Sequence, residues 1–158
     1  KKNQYRLIET FSNLFKGNHK YQLKIVGQGV EFTSLQNLIN KLNISDQVHL
    51  LGKKSRDEVK EIIHRSDCFV LASKFETFGV VLIEAMSCGL SVLSTKSGGP
   101  ESIIVNDTIG ILCEHDELEK GLIEITKKKF DSKLLRDYVL SHFSGDIIAN
   151  KLIRVYNE

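Results

Sequence analysis

Two acidic residues, Glu76 and Glu84, are separated by seven positions, with Gly79 between them. A carboxylate repels phosphate but accepts charge-assisted hydrogen bonds from hydroxyl groups, each worth roughly 1.5 to 3 kcal/mol. Gly79 would let an anionic ligand approach the backbone. A ligand with diols on either side of a diphosphate fits all three residues, which favours a nucleotide-sugar. The alternative is that Glu76 is a solvated loop residue and Glu84 an acid stabilised by a helix dipole.

The stretch around these residues predicts a strand, a tight loop and a helix N-terminus. Residues 68–71 form an apolar run typical of a buried strand, and residues 80–87 carry apolar side chains that fit a helix packed on a sheet. Such a turn places free N–H groups at the carboxyl end of a strand, where an open α/β sheet binds anions. Glu84 follows Val80 by four positions, so we expect the two on one helical face.

The same stretch resembles the retaining, GT-B-fold glycosyltransferases called glycosyl transferases group 1. The matching positions are Glu76, Glu84, Ala85, Met86, Gly89, Gly98, Gly99 and Glu101. The resemblance continues at residues 24–29, 48–52, 110–112, 143–144 and 155–156, and so covers essentially the whole chain. Ser91 departs from the family, which usually has proline there.

The resemblance implies a C-terminal domain that binds a nucleotide-sugar donor. It implies that Glu76 contacts the hydroxyls of the transferred sugar and has a catalytic role, and that Glu84 hydrogen-bonds to the ribose hydroxyls. Lys2 matches a lysine that meets the donor diphosphate, although Asn3 replaces the glycine that usually follows. The other donor-binding positions that it implies are Gly27, Gly29, Phe78, Gly79, Val80 and Val81.

Hydrophobic periodicity predicts an α/β fold with a doubly wound, mostly parallel, Rossmann-like sheet. About five strands are expected, at residues 21–26, 48–51, 68–71, 92–95 and 110–113. Helices are expected before, between and after them, with the last three near residues 117–126, 132–140 and 145–156.

Several residues predict how particular helices begin. Ser55 and Glu58 have the spacing of a capping box, and Asp116 is expected to cap the helix at 117–126. Pro100 is expected in the first turn of a short helix that contains Glu101. Gly99, immediately before it, is expected to face the sugar.

The family domain has a central strand before its first helix, and residues 1–158 begin with a helical stripe instead. We therefore expect one domain that lacks its first strand. The strands at 21–26 and 68–71 should then close up or pair with a borrowed segment. The N-terminal acceptor domain of a GT-B enzyme is also absent from these residues, so we expect them to be inactive alone.

Composition favours an ordinary globular domain. The 158 residues are 41% hydrophobic and 27% charged, with a net charge of +2 and dispersed basic residues, which does not favour a nucleic-acid partner. No signal sequence or long apolar run is present, and Cys68, Cys88 and Cys113 lack metal-ligand spacing. We therefore expect buried, reduced thiols and a cytoplasmic location. No Asp-x-Asp pair is present, which favours transfer without a metal or other cofactor.

The resemblance implies a retaining glycosyltransferase of hexosyltransferase type. Its acceptor would be a glycan, a lipid-linked saccharide or another cell-surface polysaccharide precursor, and peripheral association of the full-length protein with a membrane is compatible with this. His49 and Lys53 flank the predicted base pocket. The alternatives are a non-catalytic nucleotide-sugar-binding or regulatory module, and a doubly wound domain in which the two acids are fortuitous.

Overall fold

The computed structural model describes residues 2–147 and 149. Its strands are β1 (Leu23–Val26), β2 (Val48–Gly52), β3 (Cys68–Leu71), β4 (Ser91–Thr95) and β5 (Ile111–Cys113). Its α-helices are α1 (Gln4–Phe15), α2 (Phe32–Leu42), α3 (Arg56–His64), α4 (Val80–Ser87), α5 (Leu118–Lys127) and α6 (Ser132–Phe143), with 3₁₀ turns at Pro100–Ser102 and His115–Glu117. This alternation confirms the predicted fold class.

Every strand pair in the described residues is parallel. β1 pairs with β2 in one sheet, and β3, β4 and β5 form a second sheet in that order. The carboxyl ends of parallel neighbours share one edge of a sheet, so the loops after β3 and β4 lie side by side. Within the described residues β1 and β3 are not joined, so the two strands do not close up. Pairing with a borrowed segment stays a prediction.

Helices cover both faces of the three-stranded sheet. Successive residues of a strand point to opposite faces, and β4 shows this at Val92 and Leu93, both fully buried. Leu93 belongs to a core that includes α1, α2 and α5, whereas Val92 belongs to a core that includes α4 and α6. The sheet is therefore doubly wound, as predicted.

Helix boundaries show where local rules hold. The capping box of α3 is present, with Ser55 and Glu58 exchanging both hydrogen bonds. Asp116 does not cap α5: the N-cap position is Glu117, and no side chain bonds the helix end. An N-cap needs an extended backbone, and the 3₁₀ turn at His115–Glu117 runs directly into α5 instead.

Most other predicted elements agree to within one to three residues. The strand expected at 21–26 begins at Leu23, and the helix expected at 132–140 continues to Phe143. The last predicted helix and its matching Val155 and Tyr156 lie mainly outside the described residues. No helix in the ranges described has the length and apolar character needed to cross a bilayer.

The three cysteines are free thiols, as expected, but only Cys113 is buried; Cys68 and Cys88 are half-buried. Removal from water raises the pKa of Cys68 and of Cys113 to about 11 in each case. Both thiols are therefore protonated at neutral pH and poor nucleophiles.

Candidate functional site

The N-terminus of α4 is built on Gly79. This residue is the N-cap with φ 98° and ψ 41°, a left-handed conformation that glycine adopts at little cost. A Cβ there would lie 3.3 Å from the Leu82 side chain and 3.5 Å from that of Ile103, so this face of Gly79 packs against the core. Glycine is thus required by the backbone conformation. Val80 and Val81 occupy the first two helical positions, where N–H groups have no intrahelical acceptor.

Glu84 lies on the exposed face of α4, as predicted. Val80 is 56% exposed and Val81 36%, and Glu84 is also exposed. The opposite face is fully buried and consists of Leu82, Ala85 and Met86. The helix therefore carries the Glu84 carboxylate on its solvent-facing side, one turn after the free amides of its N-terminus.

Glu76 lies in the loop between β3 and α4, and its side chain is only 15% exposed. Its Oε2 lies 2.5 Å from Nζ of Lys2, which is 54% exposed. The sequence predicts a role for both residues at one ligand, but it does not predict this contact between residues 74 positions apart. Because the Lys2 side chain is largely exposed, we expect this ion pair to contribute little to stability.

The backbone of Glu76 is fixed by the loop after β4. Its N–H donates to the carbonyl of Ser97 at 3.0 Å, and its carbonyl accepts from the N–H of Gly99 at 2.8 Å. These two bonds form a parallel bridge between Glu76 and Gly98. The Gly98 N–H in turn lies 3.1 and 3.0 Å from the two carboxylate oxygens of Glu101.

Gly99 is required by close packing against the backbone of Phe78. A Cβ at Gly99 would lie 2.3 Å from the Cα of Phe78 and 2.4 Å from its carbonyl oxygen. This face of Gly99 contacts the loop that carries Glu76, and the expectation that Gly99 faces a sugar stays a prediction. The resemblance identified Gly98, Gly99 and Glu101 by position, and the fold adds the contacts that they make.

Phe78 is braced by α6, which sequence reasoning did not anticipate. Its ring is 41% exposed and meets Phe143 edge-on at 6.2 Å between centroids. Phe143 packs on Tyr138, whose hydroxyl donates to the Ile103 carbonyl at 2.8 Å. The backbone before α4 is thus supported from the far end of the chain.

Gly27 and Gly29 follow β1 in the other sheet. Gly27 has φ 132° and donates its N–H to the Gly52 carbonyl at 2.8 Å. A Cβ at either glycine would meet open space, so the surface of this turn is accessible. Among the described contacts none joins it to Glu76. Nearby, His49 Nε2 lies 2.8 Å from Gln22 Oε1, which gives that ring a structural partner, and Lys53 is exposed.

The groups that could bind an anion include the first amides of α4 and the ammonium of Lys2. In the described part of the chain, no three His, Cys, Asp or Glu side chains converge as metal ligands would. The arrangement offers hydrogen-bond donors for phosphate beside two carboxylates that accept from hydroxyls.

Solved structures share this fold. TarM of S. aureus superposes with a TM-score of 0.87 at 21% identity, covering 99% of this chain and 33% of that one. Alr3699/HepE of Anabaena, solved with UDP, gives 0.82 at 23% identity, covering 99% and 45%. These likenesses define the class: the Rossmann-like C-terminal domain of the GT-B fold.

Residues 1–139 match the family described as Glycosyl transferases group 1, and the chain belongs to that family. N-acetyl-alpha-D-glucosaminyl L-malate synthase of Bacillus anthracis is 42% identical over 93 residues, which are 59% of this chain and 24% of that protein. The phosphatidylinositol N-acetylglucosaminyltransferase gpi3 subunit of Schizosaccharomyces pombe is 30% identical over 156 residues, covering 96% and 34%. The chain spans about a quarter to a third of the length of these relatives.

Proposed function

We propose that this chain binds the nucleotide-sugar donor of a retaining, metal-independent glycosyltransferase. The observation that carries the proposal is the backbone bridge that fixes Glu76 beside the N-terminus of α4. This arrangement sets one carboxylate next to free helical amides at the carboxyl edge of a parallel sheet, where such folds bind ligands. The solved complexes of Alr3699/HepE with UDP and with UDP-glucose support a ligand of this class.

The amides of Val80 and Val81, together with the helix dipole, would bind the diphosphate. Glu84, on the exposed face of the same helix, would accept hydrogen bonds from the ribose diol. Glu76 would accept from hydroxyls of the transferred sugar and stabilise the positive charge that develops on the ring in the transition state. The turn at Gly27 and Gly29 would form the wall of the donor site that faces α4.

The Lys2–Glu76 ion pair suggests that the diphosphate binds before Glu76 contacts the sugar. Without ligand, each residue neutralises the other at 2.5 Å. A diphosphate offers Lys2 more negative charge than one carboxylate does, so its arrival would draw the ammonium away. Glu76 would then be free to meet the sugar. The leaving diphosphate would be neutralised by Lys2 and the α4 amides, with no metal required.

We propose a hexosyl donor and an acceptor such as a glycan, a lipid-linked saccharide or another polysaccharide precursor. The names of the relatives from B. anthracis and S. pombe, which describe N-acetylglucosaminyl transfer for those proteins, support this reaction class. The acceptor would be bound by an N-terminal domain of the same enzyme, in the cytoplasm, with peripheral membrane association where the acceptor is a lipid. These residues alone would bind donor without transferring sugar.

Titration of two variants of the full-length protein tests the proposal. The probes are UDP and UDP-glucose, with the guanosine and adenosine counterparts in parallel. Glu84→Ala should weaken the diphosphate and its sugar ester alike, by roughly 1.5 to 3 kcal/mol for one charge-assisted contact. Glu76→Ala should weaken only the sugar ester, because Lys2 remains available to the diphosphate.

Glu61→Ala is the matched control, since Glu61 is exposed on α3. Its affinities should equal those of the wild type. Equal losses for both ligands in both test variants would show that the carboxylates support the loop and do not contact the donor. Donor binding without transfer to any acceptor by the full-length protein would favour a non-catalytic binding module.

A further inference from the structure

Glu101 lies between buried core residues and the loop that carries Glu76. The preceding Pro100 is buried, and the following Ile103 and Ile104 are 0% and 2% exposed. The Ser102 hydroxyl and N–H both bond the Gly99 carbonyl, at 2.7 and 3.0 Å. The backbone of Glu101 is therefore held in place, and its carboxylate points towards the preceding residues of the chain.

That carboxylate has a specific target. Pro100 has no N–H, and the Gly99 N–H already donates to the Glu76 carbonyl. The Gly98 N–H is the remaining amide among these three residues, and both oxygens of Glu101 lie within 3.1 Å of it. Gly98 has φ 110°, so the carboxylate stabilises a turn that few other residues could form.

The turn at Gly98 and Gly99 contacts the loop at two points. The Gly99 N–H donates to the Glu76 carbonyl, next to the bond in which the Ser97 carbonyl, just before the turn, accepts from the Glu76 N–H. Gly99 also packs on the Phe78 backbone with no room for a side chain. A shift of this turn would move Glu76 relative to the α4 N-terminus. Catalytic groups lose effectiveness with displacements on the order of 1 Å.

We propose that Glu101 is a positioning residue for Glu76, acting through the Gly98–Gly99 turn. It touches neither the donor nor the reacting atoms. Its consequence for ligand binding rests on the proposed function, since it supports the carboxylate that would meet the sugar. Loss of Glu101 should therefore affect recognition of the sugar and leave recognition of the diphosphate largely unchanged.

The first test needs no ligand. Amide hydrogen exchange measured by NMR reports the opening of the Glu76 and Gly99 N–H groups. In Glu101→Ala both should exchange at least tenfold faster than in the wild type, whereas Glu101→Gln, which keeps one acceptor oxygen, should give a smaller increase. Glu114→Gln is the control. Oε1 of Glu114 lies 2.5 Å from Nζ of Lys96, which is close in sequence to the turn, and Glu114 makes no hydrogen bond to the Gly98–Gly99 turn among the described residues.

The second test compares affinities for UDP and UDP-glucose in the full-length protein. The wild type and Glu114→Gln should share one ratio of the two dissociation constants. In Glu101→Ala the advantage of UDP-glucose over UDP should fall by at least fivefold, with the affinity for UDP nearly unchanged and partial recovery in Glu101→Gln. A purely structural role would instead lower the melting temperature and weaken both ligands equally.

The outcomes separate the two proposals. Unchanged exchange at Glu76 and Gly99, or an unchanged sugar advantage, in a folded Glu101→Ala protein overturns the role of Glu101 alone. If Glu101→Ala does not fold, the same comparisons in Glu101→Gln decide. If the wild type binds no nucleotide probe, the proposed function fails, while the exchange comparison still decides whether Glu101 holds Glu76.

Discussion

Gln47 joins the loop between α1 and β1 to the segment before β2 with one buried side chain. Its Oε1 accepts from the Gly17 N–H at 2.8 Å, and its Nε2 lies 2.9, 3.0 and 3.3 Å from the carbonyl oxygens of Phe15, Asn18 and Tyr21. The residue is 1% exposed. The loop from α1 to β1 therefore satisfies its buried polar groups through a side chain that precedes β2.

Gln47→Leu should destabilise the protein by about 2 to 3 kcal/mol. Leucine keeps most of the side-chain volume but leaves the Gly17 N–H and at least one carbonyl without a partner, and unsatisfied buried groups cost about 1 to 3 kcal/mol each. Urea denaturation measures the difference. Gln36→Leu on α2, whose amide bonds only its neighbour Asn40, should stay within about 0.5 kcal/mol. Equal losses in both variants would contradict this account of Gln47.

Individual residues of the candidate site were predictable where short-range spacing defines them. Glu84 on the exposed face of α4 and Gly79 at its start follow from helical periodicity and turn chemistry. The Lys2–Glu76 pair and the Glu76–Gly98 bridge were not predictable, because each depends on how distant segments meet in the fold. Gln47 carried no sequence signal, since a lone glutamine before a strand is usually solvated.

At the scale of the element, α3 begins with a complete capping box and an added lysine. Ser55 N–H donates to Glu58 Oε2 at 2.8 Å, and Lys54 Nζ lies 2.9 Å from Glu58 Oε1. The hydrogen bond from Lys54, and then those with Ser55, lower the pKa of Glu58 to about 2. The helix is half-buried at most, so its ends matter more than they would in a core helix.

This lowered pKa makes the contribution of Glu58 dependent on pH. The folded state favours the charged carboxylate, so its stabilising effect is present above the ordinary pKa of 4.5 and is lost as the pH falls towards 2. Wild type and Glu58→Gln should therefore differ in free energy of unfolding at pH 7 and converge near pH 2. Urea denaturation at stepped pH measures this, with Glu61→Gln on the same helix as the control. A difference that is constant with pH would be inconsistent with the capping role.

Elements were predictable to the extent that their signals are local. The five strands and the start of α3 follow from apolar runs and from the Ser55–Glu58 spacing. The predicted cap at Asp116 is wrong because a 3₁₀ turn precedes α5. Whether such a turn continues into a helix depends on packing against residues distant in the sequence, which local patterns do not reveal.

At the scale of the whole molecule, β4 is the strand with neighbours on both sides in the described residues. Val92 to Thr95 are all fully buried, and β4 lies between β3 and β5 with helices on both faces. β1 and β2 form a separate pair, so each is hydrogen-bonded along only one edge there. The most protected part of the molecule should therefore be the sheet of β3, β4 and β5, from which the loops with Glu76 and Glu101 extend.

Hydrogen exchange followed by mass spectrometry should show this order. Peptides from β4 should exchange last, and those from β1 and β2 at least about tenfold faster, because strands paired along one edge leave alternate amides unprotected. Exchange in β1 as slow as in β4 would contradict the prediction, and would indicate that β1 has acquired a further strand in solution.

The Glu76 bridge consists entirely of main-chain atoms, and this has an evolutionary consequence. Mutation at Glu76, or at the exposed neighbours Lys74, Phe75 and Thr77, changes a side chain without removing either bond that holds the loop. If the loop contacts the sugar as proposed, selection can therefore alter which sugar it favours in single steps, each starting from a folded ancestor. A library randomised at positions 74, 75 and 77 should retain folded members throughout, whereas position 99 should tolerate glycine alone.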